Sequence, residues 1–119
     1  MKYMLLIADD PSRYAGAEGE KLLADVIARH RAMHEEMKAA GVTWTGHQLH
    51  QASSATTVRT EGEVQTLHDG PFAETHEELG GYYLIDVPDL DAAIHWARKI
   101  PQPGRGSVEV RPVHENEGS

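Results

Sequence analysis

Strand-like and helix-like segments follow one another in the order β-α-β-β-α-β, with a short hairpin between the second and third strands. That order, two apolar stripes of helical period and turn residues at each junction predict an α+β fold. The specific arrangement is a ferredoxin-like split βαβ sheet with an inserted β-hairpin. Right-handed crossovers place both helices on one face of the sheet. The chain has 119 residues, enough for one domain that buries roughly two-thirds of its unfolded surface. Residues 1–113 are read as that domain and 114–119 as a frayed tail.

Lys2 to Ala8 is apolar on both alternating faces, with Tyr3, Leu5 and Ile7 on one and Met4, Leu6 and Ala8 on the other. Such a strand is central and covered on both sides. Asp9 to Gly19 is a loop, and Glu18 to Ala40 a long amphipathic helix. At about 100° per residue, Leu22, Leu23, Val26, Ile27, His30, Met33, His34 and Met37 share its apolar face. Gly41 ends it. Val42 to Leu49 is the second strand; Thr56 to Thr60 and Val64 to His68 form the hairpin around Glu61-Gly62-Glu63. The third sheet strand, Tyr82 to Val87, is again apolar on both faces. Pro88-Asp89 stops it and caps the helix Leu90 to Ile100, whose buried stripe is Leu90, Ala93, Ile94 and Ala97. Ser107 to Val113 closes the sheet with Val108 and Val110 inward.

Two helices cannot cover both faces of this sheet. The expected cover for the second face is another copy, giving a homodimer with sheets face to face, a dimeric α+β barrel. The competing arrangement is a monomer whose hairpin folds across that face.

Net charge is −8 with no basic cluster, which argues against direct nucleic-acid binding. No stretch approaches the ~20 apolar residues of a membrane span. The apolar run after Lys2 is too short for a signal peptide and is ended by Asp9-Asp10-Pro11. There are no cysteines, hence no disulfide or thiolate chemistry, which fits a cytoplasmic protein.

The segment Asp69-Gly70-Pro71-Phe72-Ala73-Glu74-Thr75-His76-Glu77-Glu78-Leu79-Gly80-Gly81 joins turn chemistry to carboxylates between two strands, where sites are often built. This segment, the Tyr82-Tyr83-Leu84-Ile85-Asp86-Val87 strand after it, Ser53-Ser54-Ala55-Thr56-Thr57-Val58-Arg59 and the closing Gly106 to Val113 resemble the YCII-related proteins of the DGPFAETKE group. His76 stands where the group's motif has Lys, so no role of that Lys is carried over. The resemblance covers nearly the whole chain and implies a ferredoxin-like domain dimerising as an α+β barrel. It also implies a pocket with a His–Asp pair, the His lying eleven residues before the glycine that ends the first helix, which here is His30. Asp69 is the candidate partner. Related domains beside extracytoplasmic-function sigma factors add a sigma factor as a possible partner.

His30 suits general acid/base work because an imidazole pKa of ~6.5 lies near operating pH. A histidine on an apolar stripe is also an ordinary core or interface residue. Asp69 is a candidate catalytic orienter, but Asp before Gly-Pro also closes its own turn. Phe72, Glu74, Tyr82 and Tyr83 are the candidate ligand-binding residues, with packing the alternative for Phe72. Tyr82 and Tyr83 point to opposite faces, one into the core and the other into a dimer cavity. His30/His34 has i, i+4 spacing but lacks the Glu of a zinc-protease helix, and His68, Asp69, Glu74 and His76 fit no defined metal site. Neither a metal nor an organic cofactor is expected.

Three functions fit. The first is a small enzyme transferring protons in an isomerase, lyase or hydrolase reaction, with His30 as acid/base. The second is a dimer that binds a small-molecule metabolite without turnover. The third is a module acting with a sigma factor, which requires an exposed apolar patch beyond the dimer interface.

Overall fold

In the computed structural model, which describes residues 1–71 and 77–115, strand β1 (Lys2–Asp9) leads through a 3-10 turn into helix α1 (Gly16–Ala39). Strand β2 (Thr43–Gln48) and the pair β3 (Thr56–Glu61) and β4 (Val64–Asp69) follow. Strand β5 (Glu78–Asp86), helix α2 (Leu90–Lys99) and strand β6 (Gly106–Pro112) complete the described chain. One sheet runs in the order β2-β5-β1-β6, each neighbouring pair antiparallel. β1 and β2 are therefore parallel across β5, as a split βαβ requires. The architecture is α+β and compatible with a ferredoxin-like fold.

Helix α1 starts at Gly16, earlier than the expected Glu18. Its end is a Schellman motif: Gly41, at φ +74°, donates to the Lys38 carbonyl and Val42 to the Met37 carbonyl. β5 starts at Glu78 rather than Tyr82, because Leu79 and Gly81 pair with β1 while Gly80 bulges between them. The expected stripe of α2 is corrected at two positions. Leu90 is exposed, and Trp96 is buried. Leu90 is the first helical residue, beside the Asp89 carboxylate that accepts the Ala92 N–H at 2.9 Å, and α2 meets the core further along through Ala93, Trp96 and Ile100. The chain at 114–115 is tied back, since the Glu115 carboxylate accepts the Lys2 N–H at 2.6 Å.

Both helices cover one face of the sheet. Tyr3, Leu5, Tyr83 and Ile85 join Met33 and Met37 of α1 and Ala93 and Trp96 of α2 in one buried cluster. The fully buried Leu5, Met37 and Ile85 each stabilise the fold by roughly 1.5–3 kcal/mol on leaving water. Strand alternation puts Met4, Leu6, Tyr82 and Leu84 on the other face, where each is only half-buried. The hairpin does not fold down over them: Val58 is 57% and Leu67 76% exposed on it. The radius of gyration, 16.4 Å, exceeds the ~13–14 Å of a compact chain of this length, as an uncovered sheet and a projecting hairpin require.

Gly46 of β2 lies directly opposite Tyr83 of β5, and a Cβ there would come within 2.5 Å of the Tyr82 carbonyl oxygen. Gly46→Ala is therefore expected to lower the unfolding free energy in a urea titration by about 1–3 kcal/mol. A neutral substitution would contradict the β2–β5 register.

Candidate functional site

The helix-facing side of the sheet is short of side chains at one end. There Gly46 of β2 sits across from Tyr83, and Gly81 of β5 sits across from Ile7 and Gln48. Among the described residues the first half of α1 covers this end only in part: Val26 is buried, but Leu23 is half-buried and Ile27 is 39% exposed. The result is a cleft of about 420 Å³ between α1 and the sheet, open to solvent. Its lining is mostly apolar, with Ile7, Leu23, Val26, Ile27, Trp44 and Leu79 prominent.

The polar groups of the cleft converge on Tyr83. Helical i, i+4 spacing puts His30 and His34 on adjacent turns of the same face of α1. His30 Nδ1 lies 2.7 Å from the Tyr83 hydroxyl and His34 Nε2 lies 2.8 Å from it. The His34 ring stacks on Trp44, with centroids 4.1 Å apart and planes 25° from parallel. Trp44 in turn meets Tyr83 edge-on at 5.2 Å. At the cleft wall Tyr14 donates to the Asp9 carboxylate at 3.1 Å. Glu78, which also lines the cleft, accepts the Ala52 N–H at 3.3 Å.

Burial sets the charge of these groups. It lowers the His30 pKa below the usual imidazole value; neighbouring His34 lowers it further, and Asp9 partly opposes both. Burial also lowers His34, against a smaller opposing effect of Glu35. The Tyr83 hydroxyl is pushed up to about 12 by burial alone. Tyr14 is likewise raised to about 12, by burial and then by the Asp9 charge. Near pH 7 both imidazoles are therefore uncharged, and both phenols keep their protons.

His30 and Tyr83 are brought together. Asp69 is not with them: it ends β4 opposite Thr56, and the next residue, Gly70, donates to Ala55 and accepts from the Thr57 hydroxyl. It does not line the cleft; among the described residues the carboxylates that do are Asp9 and Glu78. Tyr82 points to the uncovered face, its hydroxyl 2.9 Å from His47 Nδ1. Phe72 and Glu74 lie outside the described residues, as does His76. In the sequence His34 stands out only through its i, i+4 spacing from His30, and nothing there singles out Asp9, Tyr14 or Gly46 as cleft residues. Among the described residues no three His, Asp or Glu side chains are gathered as a metal site would need. No described helix is long and apolar enough to cross a membrane.

Fold and cleft together define a small α+β protein with a titratable cluster set into an apolar cleft. A family model for the YCII-related domain matches residues 1–117, and the chain belongs to that family. It is similar to an uncharacterised protein, R00369, of Rhizobium meliloti (strain 1021), at 36% identity over 95% of this chain and 92% of the relative.

The two depressed imidazoles give stability a pH dependence of definite sign. The unfolded chain takes up protons on His30 and His34 at a higher pH than the folded chain does. Their contribution is therefore present above about pH 6.5 and is lost as pH falls through the folded-state values. The thermal midpoint should fall more steeply between about pH 7.5 and pH 5 in the wild type than in the double variant His30→Gln/His34→Gln. Equal slopes by calorimetry would show that the pair carries no such linkage.

Proposed function

We propose that this chain is a homodimer that takes a small, uncharged and largely apolar molecule into the cleft between α1 and the sheet, where His30 acts as general acid/base. The observation that carries this reading is the convergence of two uncharged imidazoles and a protonated phenol in an apolar cleft open to solvent. About 420 Å³ lies within the usual range for small-molecule sites. The cleft lining carries Asp9 and Glu78 against one cation, Arg31, among the described residues, and the chain's net charge is −8, a balance that disfavours an anionic ligand. The reaction class is proton transfer, as in an isomerase, lyase or hydrolase step. An imidazole held neutral near pH 7 is ready to accept a proton. The nitrogen that a carboxylate would orient in a His–Asp pair is held here by the Tyr83 hydroxyl.

The dimer rests on the uncovered face. Met4, Leu6 and Leu84 form an apolar band there that neither helix nor hairpin covers, and a second copy presents the matching surface. Sedimentation should give a dimer for the wild type and a folded monomer for Leu84→Glu. A wild-type monomer at micromolar concentration would remove this part of the reading.

The cleft is tested with a library of small neutral carbonyl and phenolic compounds, followed by the NMR signal of the Trp44 indole and by turnover assays. Binders are expected to move Trp44, and His30→Gln should keep binding while reducing turnover by a factor of about 10² or more. Binding without turnover in the wild type would make the protein a metabolite binder. The absence of any binder that perturbs Trp44 would end the cleft reading.

A further inference from the structure

We propose that Tyr83 joins His30 and His34 into a proton relay, so that a proton taken up at one imidazole is matched by one released from the other. This deepens the acid/base reading of the cleft and rests on it for its use, though not for its existence. The geometry is the two short contacts to a single oxygen, 2.7 Å from His30 Nδ1 and 2.8 Å from His34 Nε2. A phenol hydroxyl has one proton to donate and lone pairs to accept with. If it donates to one imidazole nitrogen, the other nitrogen must carry a proton and donate to it. Two arrangements satisfy this. In one, His30 Nδ1–H donates to the Tyr83 oxygen and the Tyr83 O–H donates to His34 Nε2. In the other, His34 Nε2–H donates to Tyr83 and the Tyr83 O–H donates to His30 Nδ1.

These arrangements have a consequence for tautomers. The first leaves His30 and His34 both as Nδ1–H rings. The second leaves both as Nε2–H rings. The rings differ in which nitrogen faces Tyr83, so complementarity at the hydroxyl becomes identity of tautomer. Starting from the first arrangement, the balance is complete. His30 Nε2 accepts a proton from the donor, and His30 Nδ1–H passes its proton to the Tyr83 oxygen. The Tyr83 proton moves to His34 Nε2, and His34 releases its Nδ1 proton to solvent. Both rings end as Nε2–H and the triad is again uncharged. Because burial holds both imidazoles below their ordinary pKa, the uncharged rings that the relay needs are the populated ones near pH 7. Among the described residues, Asp9 from β1 acts on His30 and Glu35 from α1 on His34, both favouring protonation, while Arg31 of α1 and Glu78 of β5 also line the cleft. Trp44, stacked on His34, fixes that ring's plane and leaves its tautomer free. Tyr83 and His34 are positioning residues in this scheme, acting through His30.

The test uses the ligand-free wild-type protein. Long-range ¹H–¹⁵N correlation of the histidine rings near pH 7.5 reads the tautomer of each. The expected result is the same tautomer, or the same mixture of tautomers, on His30 and His34. Opposite tautomers, with both Tyr83-facing nitrogens protonated, would mean that the hydroxyl accepts twice, and would overturn the relay. Tyr83→Phe keeps the ring and removes the hydroxyl. It should release the match, with at least one ring changing its tautomer population, and unchanged tautomers would also overturn the proposal. If that variant does not fold, the wild-type measurement decides alone. Binding to the cleft is read separately at Trp44. Mismatched tautomers with binding intact therefore reject the relay and leave the cleft reading standing, and matched tautomers without any binder do the reverse.

Discussion

A phenol hydroxyl carried into a core must find hydrogen-bond partners, and much of this site follows from that requirement at Tyr83. The residue sits in the middle of the sheet, 6% exposed, with β1 and β2 on either side of its strand. Leaving its hydroxyl unpaired would cost roughly 1–3 kcal/mol. The sheet cannot satisfy it, because neighbouring backbone groups are spent on the ladders. Helix α1 does, through His30 and His34 one turn apart. The same contacts hold α1 against the sheet at the point where its apolar packing gives out. Toward the helix C-terminus Met33 and Met37 are buried in the core; toward the N-terminus Ile27 is left exposed. The Tyr83 hydroxyl marks the boundary between closed core and open cleft.

That boundary depends on what β2 and β5 lack. A side chain at Gly46 would strike the β5 backbone and crowd the Tyr83 ring, which lies 3.1 Å from the position a Cβ would take. Gly81 removes a second side chain from the cleft floor, and a Cβ there would sit 3.0 Å from the His47 carbonyl oxygen. Both glycines line the cleft floor, where the close approach of the neighbouring strand leaves no room for a side chain. A site of this kind is held by regular strands and a long helix, so its polar groups are positioned by ladder and helix geometry rather than by a loop.

How much of this is legible in the sequence follows from which signals are periodic. Element order, the Gly41 stop and the inward Val108 and Val110 are set by local pattern, and the structure follows them; the stripe of α1 holds except at Ile27, which the helical period places on the apolar face and the structure leaves 39% exposed. His30 is legible because it breaks an apolar stripe. Tyr83 is legible only as one of two, since β5 is apolar on both faces and period-two alternation says that Tyr82 and Tyr83 part without saying which meets α1. Gly46 becomes informative only when its cross-strand partner is known, and register between distant strands is not written in either strand alone. Asp69 shows the opposite failure. Its place beside a distinctive motif suggests nearness to the site, but β4 carries it into a hairpin that pairs only with itself among the described residues. Asp9, which does line the cleft, looks from sequence like the residue that merely ends β1.

Tyr82 and Tyr83 also tie the two sides of the sheet together. Consecutive residues on one strand, they face opposite ways: Tyr83 into the helix-covered core, Tyr82 onto the uncovered face with His47. Any surface seated against that face would press on Tyr82 and Leu84 and so on the strand that carries Tyr83. The hydroxyl of Tyr83 has little freedom to follow such a displacement, because distances of 2.7 and 2.8 Å to two rings on one rigid helix are already at the short end for hydrogen bonds to imidazole. In the proposed dimer the partner would seat on Tyr82 and Leu84, the residues on either side of Tyr83 along the strand, and it is the Tyr83 hydroxyl that holds both imidazoles.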